Sequence, residues 1–305
     1  MQMVIFLALL SMSWFVGSFL MTIMNQQLLG ISTDTLRGLT EIGDDLAGKI
    51  KIVEMLALVI MLLMPAALFS YLAHPRPLYY VGMRKIPKFN LFALSIVWLI
   101  VALPFSGLLE HWSSKITFTG DLKKMDDNYT ALAKAMLSGS SIQDLLFNIF
   151  SISLFPAIIE EYFFRGCLQQ ILLQWMKNTP YTALIVTAII FSLFHGQMSG
   201  FLPRAFLGLL LGLAYYYTGS LWVSILMHFL NNTLTVVMVY LFNNQFISVD
   251  VTKLPPVNIF FGIGSALAVL AVAYLMNTRK ELFIPLLADN EDKLNTNKEN
   301  NTPNE

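Results

Sequence analysis

The sequence predicts an all-α fold, a polytopic membrane bundle of about eight transmembrane helices, because eight stretches approach the roughly 20 apolar residues a span requires. Composition agrees. Hydrophobic residues make up 56% of the 305-residue chain and charged residues 12%, where a soluble surface calls for about 25% charged. The charges that exist also sit mostly outside the apolar stretches.

The stretches are, in order, 4–24, 52–73, 91–109, 142–173, 181–195, 201–218, 221–242 and 257–276. The first is long enough to span and has no Lys or Arg before Arg37, so it reads as a retained helix rather than a cleaved signal. The fourth is too long to cross upright, and Pro156 marks a place where it would tilt or break. The fifth is short and ends at His195-Gly196. Only Gly219 and Ser220 separate the sixth from the seventh, which makes those two antiparallel neighbours.

Two connecting segments are long and mixed in charge: 25–51, with Asp34, Glu41, Asp44 and Asp45, and 110–141, with Lys115, Asp121, Lys123, Lys124, Asp126 and Asp127. The loop 74–90 carries Arg76, Arg84, Lys85 and Lys88 and no acid. The positive-inside rule puts that loop, and with eight spans both termini, in the cytoplasm. Arg279 and Lys280 after the last span agree, while Lys115, Lys123, Lys124 and Lys134 fall on the other side. Residues 288–305 are Asn-, Glu- and Lys-rich and read as a disordered polar tail. The layout suits a multi-pass protein of a bacterial inner membrane, with the lipid bilayer as its first partner.

Lys plus Arg and Asp plus Glu are both 19, so the basic excess that nucleic acid demands is absent and no nucleic-acid partner is expected. The single cysteine, Cys167, rules out an intrachain disulfide and a cysteine-based metal site.

Charge at hydrocarbon depth costs roughly 2.5–3.5 kcal/mol per residue and is a default pointer to function. The cluster of this kind is Glu160, Glu161 and Arg165, flanked by Ile158, Ile159, Tyr162, Phe163 and Phe164. At about 100° per residue, Glu161 and Arg165 lie about 40° apart and can pair, while Glu160 points about 140° away from Arg165. His195 and His228 also fall in apolar stretches; His195 shares a face with Phe191, and His228 shares one with Asn232. Three helices thereby offer a carboxylate, an imidazole and an imidazole–amide pair to one buried site. Cys167 is seven residues beyond Glu160 and on its face, but a buried free thiol behaves as a small hydrophobe.

Glu160-Glu161-x-x-x-Arg165, Phe191-x-x-x-His195 and His228-x-x-x-Asn232, in that order on successive apolar helices, resemble the CPBP family of intramembrane proteases, which includes the CaaX-processing and bacteriocin-processing (Abi) proteins. The resemblance makes 140–245 a protease core. Residues 1–139 are then N-terminal spans and loops, and 246–287 carry the last span. The resemblance implies hydrolysis of a peptide bond in a membrane-associated peptide or lipidated protein. It maps Glu160 and His195 onto a water-activating pair and His228 and Asn232 onto an oxyanion-stabilising pair, with Glu161 and Arg165 as site support. Both a metal-free glutamate mechanism and a metallo mechanism fall within it. No cofactor is certain; the metallo form would use one divalent metal, such as zinc, on Glu160, His195 and His228 with water as fourth ligand. Two other classes remain open: a non-catalytic immunity or scaffold protein, and a transporter using the same carboxylate and imidazoles as a proton relay. A transporter would usually show repeats or broken helices in matching positions, and the sequence shows neither.

Overall fold

Apolar runs of this length can satisfy their backbone N–H and C=O groups in hydrocarbon only as helices or closed barrels, and the described residues form helices and turns with no strand. The computed structural model describes residues 1–32, 43–248 and 257–280. The expectations for Asp34, Glu41 and the tail 288–305 lie outside the described residues. The helices are α1 (Gln2–Leu29), α2 (Asp45–Ala73), α3 (Phe89–Ser113), α4 (Gly120–Met136), α5 (Ile142–Trp175), α6 (Pro180–Phe194), α7 (Phe201–Thr218), α8 (Leu221–Asn243) and α9 (Ile259–Arg279). Six of them, namely α1, α2, α3, α5, α8 and α9, are long and apolar enough to cross a membrane. The remaining two of the eight expected spans are α6, apolar but only 15 residues long, and α7, whose 18 residues include Arg204.

The segment 110–141 holds more than a loop. Its charges alternate with Tyr129, Leu132, Ala135 and Met136, which turn inward in α4 while Lys123, Lys124, Asp127 and Lys134 stay exposed. Such spacing makes an amphipathic helix.

Pro156 does not break α5. The helix widens into π-turns at Ile149–Leu154 and again at Tyr162–Gln169, with the α-helical stretch Phe155–Glu161 between them. A π-turn absorbs an extra residue and locally re-aims the side chains around it. Pro104 inside α3 is handled differently. The Ser265 hydroxyl of α9 accepts from Phe105 N at 3.0 Å and donates to the Val101 carbonyl at 2.5 Å, standing in for the ladder bond that would join those two groups. Trp98 Nε1 donates to the Val269 carbonyl at 3.0 Å, so α3 and α9 run antiparallel.

α5 lies against α6, α7 and α8 in the centre of the bundle. Arg165 Nη2 donates to the Gly208 carbonyl at 2.9 Å, and Gln169 Nε2, one turn on, donates to the Gly212 carbonyl at 3.0 Å. Small residues allow such close approach of helix backbones in a membrane. A Cβ at Gly208 would stand 2.9 Å from the Phe191 ring, and one at Gly212 would stand 2.8 Å from Gln169. The turn Gly219-Ser220 folds α8 back antiparallel to α7, as its shortness requires, with Gly219 at φ +65°.

Candidate active site

Glu161, Arg165 and His228 hold one another across α5 and α8. Glu161 Oε1 accepts from Arg165 Nη1 at 2.7 Å, one helical turn away, and both side chains are fully buried. The Arg165 guanidinium lies over the Phe191 ring of α6, 4.5 Å from its centroid. The same Phe191 ring meets His195 edge-on at 5.0 Å and His228 at 5.8 Å, so one aromatic side chain packs against three of the site's polar groups.

His195 caps the C-terminal end of α6, and its Nδ1 lies 2.9 Å from the Phe191 carbonyl. A carbonyl only accepts, so Nδ1 carries the proton and, in the neutral ring, Nε2 presents a lone pair. That Nε2 faces Glu160 Oε2 at 3.9 Å. Glu160 Oε2 has no hydrogen-bond partner among the described residues, and the gap is too wide for a direct bond and suited to one bridging water.

His228 is engaged elsewhere. Its Nδ1 donates to Glu161 Oε1 at 2.9 Å, so the carboxylate it meets is Glu161, already paired with Arg165, and not Glu160. Asn232, one turn along α8, is half-buried and donates from Nδ2 to the Ile152 carbonyl at 3.4 Å. Pro156, four residues after Ile152, has no N–H to offer that carbonyl, which leaves it accessible to a side chain from another helix.

The residues that would hold a divalent metal are Glu160, His195 and His228. Among the described residues no three His, Cys, Asp or Glu side chains gather as a ligand set. Of these three, His195 commits its Nδ1 to the Phe191 carbonyl and His228 its Nδ1 to Glu161, which leaves Nε2 of each ring as the atom that would hold a metal. No step below is routed through a metal.

Residues 142–234 match the family model described as type II CAAX prenyl endopeptidase Rce1-like. This segment is similar to that family. The match contains Glu160, Glu161, Arg165, His195, His228 and Asn232 and leaves α1 to α4 and α9 outside it. It agrees with the CPBP resemblance, and at the level of the family it supports a CAAX-type membrane endopeptidase. No curated protein and no solved structure matched the chain.

The matched segment is bordered by groups that helical spacing did not reveal. After His195 the chain turns at Gly196, with φ +70°. Arg204 of α7 then holds the turn by bonding Gln197 through both its side-chain oxygen, at 2.6 Å, and its carbonyl. α4 closes over it. Asp126 accepts from Ser199 N at 2.9 Å, Gln197 donates to Thr130 at 3.3 Å, and the Arg204 guanidinium lies 5.9 Å from the Tyr129 ring. Burial pushes the Tyr129 phenol above its ordinary pKa, Arg204 opposes that shift, and the charges of Glu160 and Glu54 add to it. Tyr129 therefore stands within electrostatic reach of Glu160. A charged residue in an apolar helix, such as Arg204 or Glu54, was the available signal in the sequence.

Cys167 faces α2. It sits inside the second π-turn, fully buried, with Sγ 3.5 Å from the Ala66 carbonyl of α2. The thiol points into the core between helices, so a maleimide should label the folded protein only when it unfolds, and Cys167→Ala should retain any cleavage activity. Rapid labelling of the native protein would show the thiol to be accessible.

Arg165→Ala would leave Glu161 and His228 buried without their cation. Breaking a buried pair by removing one partner costs about 3–5 kcal/mol. The variant should show a clearly lowered thermal midpoint and yield of folded protein, and normal yield with unchanged unfolding would contradict the pairing role.

Proposed function

We propose that the protein is an intramembrane endopeptidase of the CAAX type that uses Glu160 and His195 to activate water. The observation that carries this reading is the 3.9 Å facing of Glu160 Oε2 and His195 Nε2, with Nδ1 of the same ring committed to the Phe191 carbonyl. A water between two acceptors donates one hydrogen to each and turns its lone pairs outward, toward a substrate carbonyl. Glu160 takes one proton as the water oxygen bonds to the carbonyl carbon. It returns that proton to the amine nitrogen as the carbon–nitrogen bond breaks.

The developing oxyanion needs donors. The second Asn232 amide hydrogen supplies one. His228, held at Nδ1 by Glu161, supplies another when Nε2 carries a proton. Glu161 therefore acts as a positioning residue for His228 as well as the partner of Arg165. The substrate is the carboxy-terminal segment of a membrane-associated, lipidated protein or peptide, reached from within the bilayer.

The test is a peptidase assay with the purified full chain in liposomes, offered a prenylated CAAX peptide and its unprenylated counterpart. Release of the C-terminal fragment, with strong preference for the prenylated peptide and loss in Glu160→Gln, is the expected result. A wild-type protein that cleaves neither peptide while folded would remove this reading in favour of a non-catalytic role.

A further inference from the structure

The end of the bundle that carries loop 74–88 is electrically one-sided. Arg76, Arg84, Lys85 and Lys88 lie on the loop itself. The antiparallel pairing of α3 and α9 brings Arg279 and Lys280 to the same end. Lys177, in the turn between α5 and α6, joins them, since a Cβ at Gly166 of α5 would stand 2.9 Å from Val81 of the loop. Among the described residues, the Asp and Glu side chains lie within the helices or toward the opposite end.

The loop is fixed rather than trailing. Leu221 N donates to the Gly82 carbonyl at 3.2 Å, and the Tyr215 hydroxyl donates to the Val81 carbonyl at 3.2 Å while accepting from Gln170 Nε2 at 2.6 Å. Gly82 is at φ +78°, and a Cβ there would come within 2.7 Å of the Gly219 carbonyl, so only glycine allows this approach. Tyr80 is fully buried, its ring edge-on to Phe69 of α2, so the short helical turn Pro77–Tyr80 is anchored to the bundle as well.

On this frame sits a cavity of about 420 Å³, lined by Arg76, Pro77, Leu78, Tyr79 and Arg84. The Arg76 guanidinium stacks 5.3 Å from the Tyr79 ring, and Arg76 N donates to His74 Nδ1 at 2.9 Å, which holds one side of the cavity in place. The surroundings are those of a membrane interface. Ile86 and Phe89 are more than four-fifths exposed, and Tyr71, Trp175 and Trp222 are exposed at the same end. Trp222 donates from Nε1 to the Met83 carbonyl at 2.9 Å, so it is tied to the loop. Trp and Tyr sit at headgroup level, where one edge is apolar and the other is wet.

We propose that this cavity is a headgroup site for an anionic phospholipid, with the phosphate held between Arg76 and Arg84 and the acyl chains lying against Leu78 and Phe89. Planar guanidinium groups match phosphate oxygens in a bidentate fashion. The apolar exposed flank favours a lipid over a soluble phosphate, which would leave that flank uncovered. The site is independent of the peptidase reading, because it uses none of Glu160, His195, His228 or Asn232.

The experiment uses the full chain in nanodiscs of phosphatidylcholine, alone or with phosphatidylglycerol added, with retained lipid counted by native mass spectrometry. Wild type should retain phosphatidylglycerol in preference to phosphatidylcholine. At about 1 kcal/mol per cation, the Arg76→Gln/Arg84→Gln double variant should lose about thirtyfold of that preference. Its thermal unfolding in phosphatidylcholine alone should match wild type. Arg84→Gln alone, an exposed change, serves if the double variant folds poorly, and should lose about fivefold of the preference. A Lys177→Gln/Arg279→Gln control should keep most of it. No preference in wild type, or an undiminished preference in the arginine variants, would overturn the site. An equal loss in the control would reduce it to diffuse surface charge, and displacement of the lipid by soluble glycerol phosphate would make it a free-phosphate site instead.

Discussion

Glu160→Gln should remain folded and lose about 10²–10⁴-fold in kcat, the range a positioned general base contributes. The amide keeps the shape of the carboxylate but cannot take a proton from water. Folding should survive because Glu160 Oε2 has no hydrogen-bond partner among the described residues and stands off from His195 by 3.9 Å. KM should move little, since the lost interaction belongs to the transition state rather than to substrate binding. His195→Ala should resemble it, because the water would lose its second acceptor. Single-turnover cleavage of a prenylated peptide measures kcat free of product release. A Glu160→Gln enzyme with near wild-type kcat would mean that some other group activates the water.

The second large effect is expected at His228. His228→Ala removes one oxyanion donor, which costs about 10²–10³-fold in kcat, roughly 2.7–4 kcal/mol. Asn232→Ala should give a loss of the same order. Glu161→Gln is the more informative variant, because Glu161 Oε1 meets both Arg165 at 2.7 Å and His228 at 2.9 Å. If Glu161 orients His228 toward the oxyanion, this variant lowers kcat even in the fraction that folds, and Glu161→Asp restores part of it. If Glu161 only balances Arg165, folded yield falls while the kcat of the surviving protein stays at the wild-type level. Comparing kcat with the folded fraction separates the two roles.

Much of this was legible in the sequence because it is local. Composition and run length dictate membrane helices, since hydrocarbon leaves the backbone no other open solution. The Glu161–Arg165 pair and the contact of the Phe191 and His195 rings are both i, i+4 relations, set by the pitch of a helix and visible in spacing alone. The amphipathic α4 was equally written in its periodicity, although its charges drew attention to a loop. Six of the eight apolar stretches meet the length and hydropathy of a span, and α6 and α7 are the two that fall short of it.

What only the tertiary structure decided depends on how each helix is rotated and how closely it approaches its neighbours. His228 reaches Glu161 across 67 positions in the chain, and Arg204 meets Tyr129 from an unrelated helix. The first follows from the packing of α8 on α5, and the second from α4 closing over the start of α7. The first also follows from the two π-turns of α5, which shift the phase of every side chain beyond them. Which neighbour the Cys167 thiol meets, the Ala66 carbonyl of α2, was likewise a matter of packing. Periodicity records which side of a helix is apolar; packing determines which polar group of another helix stands opposite it.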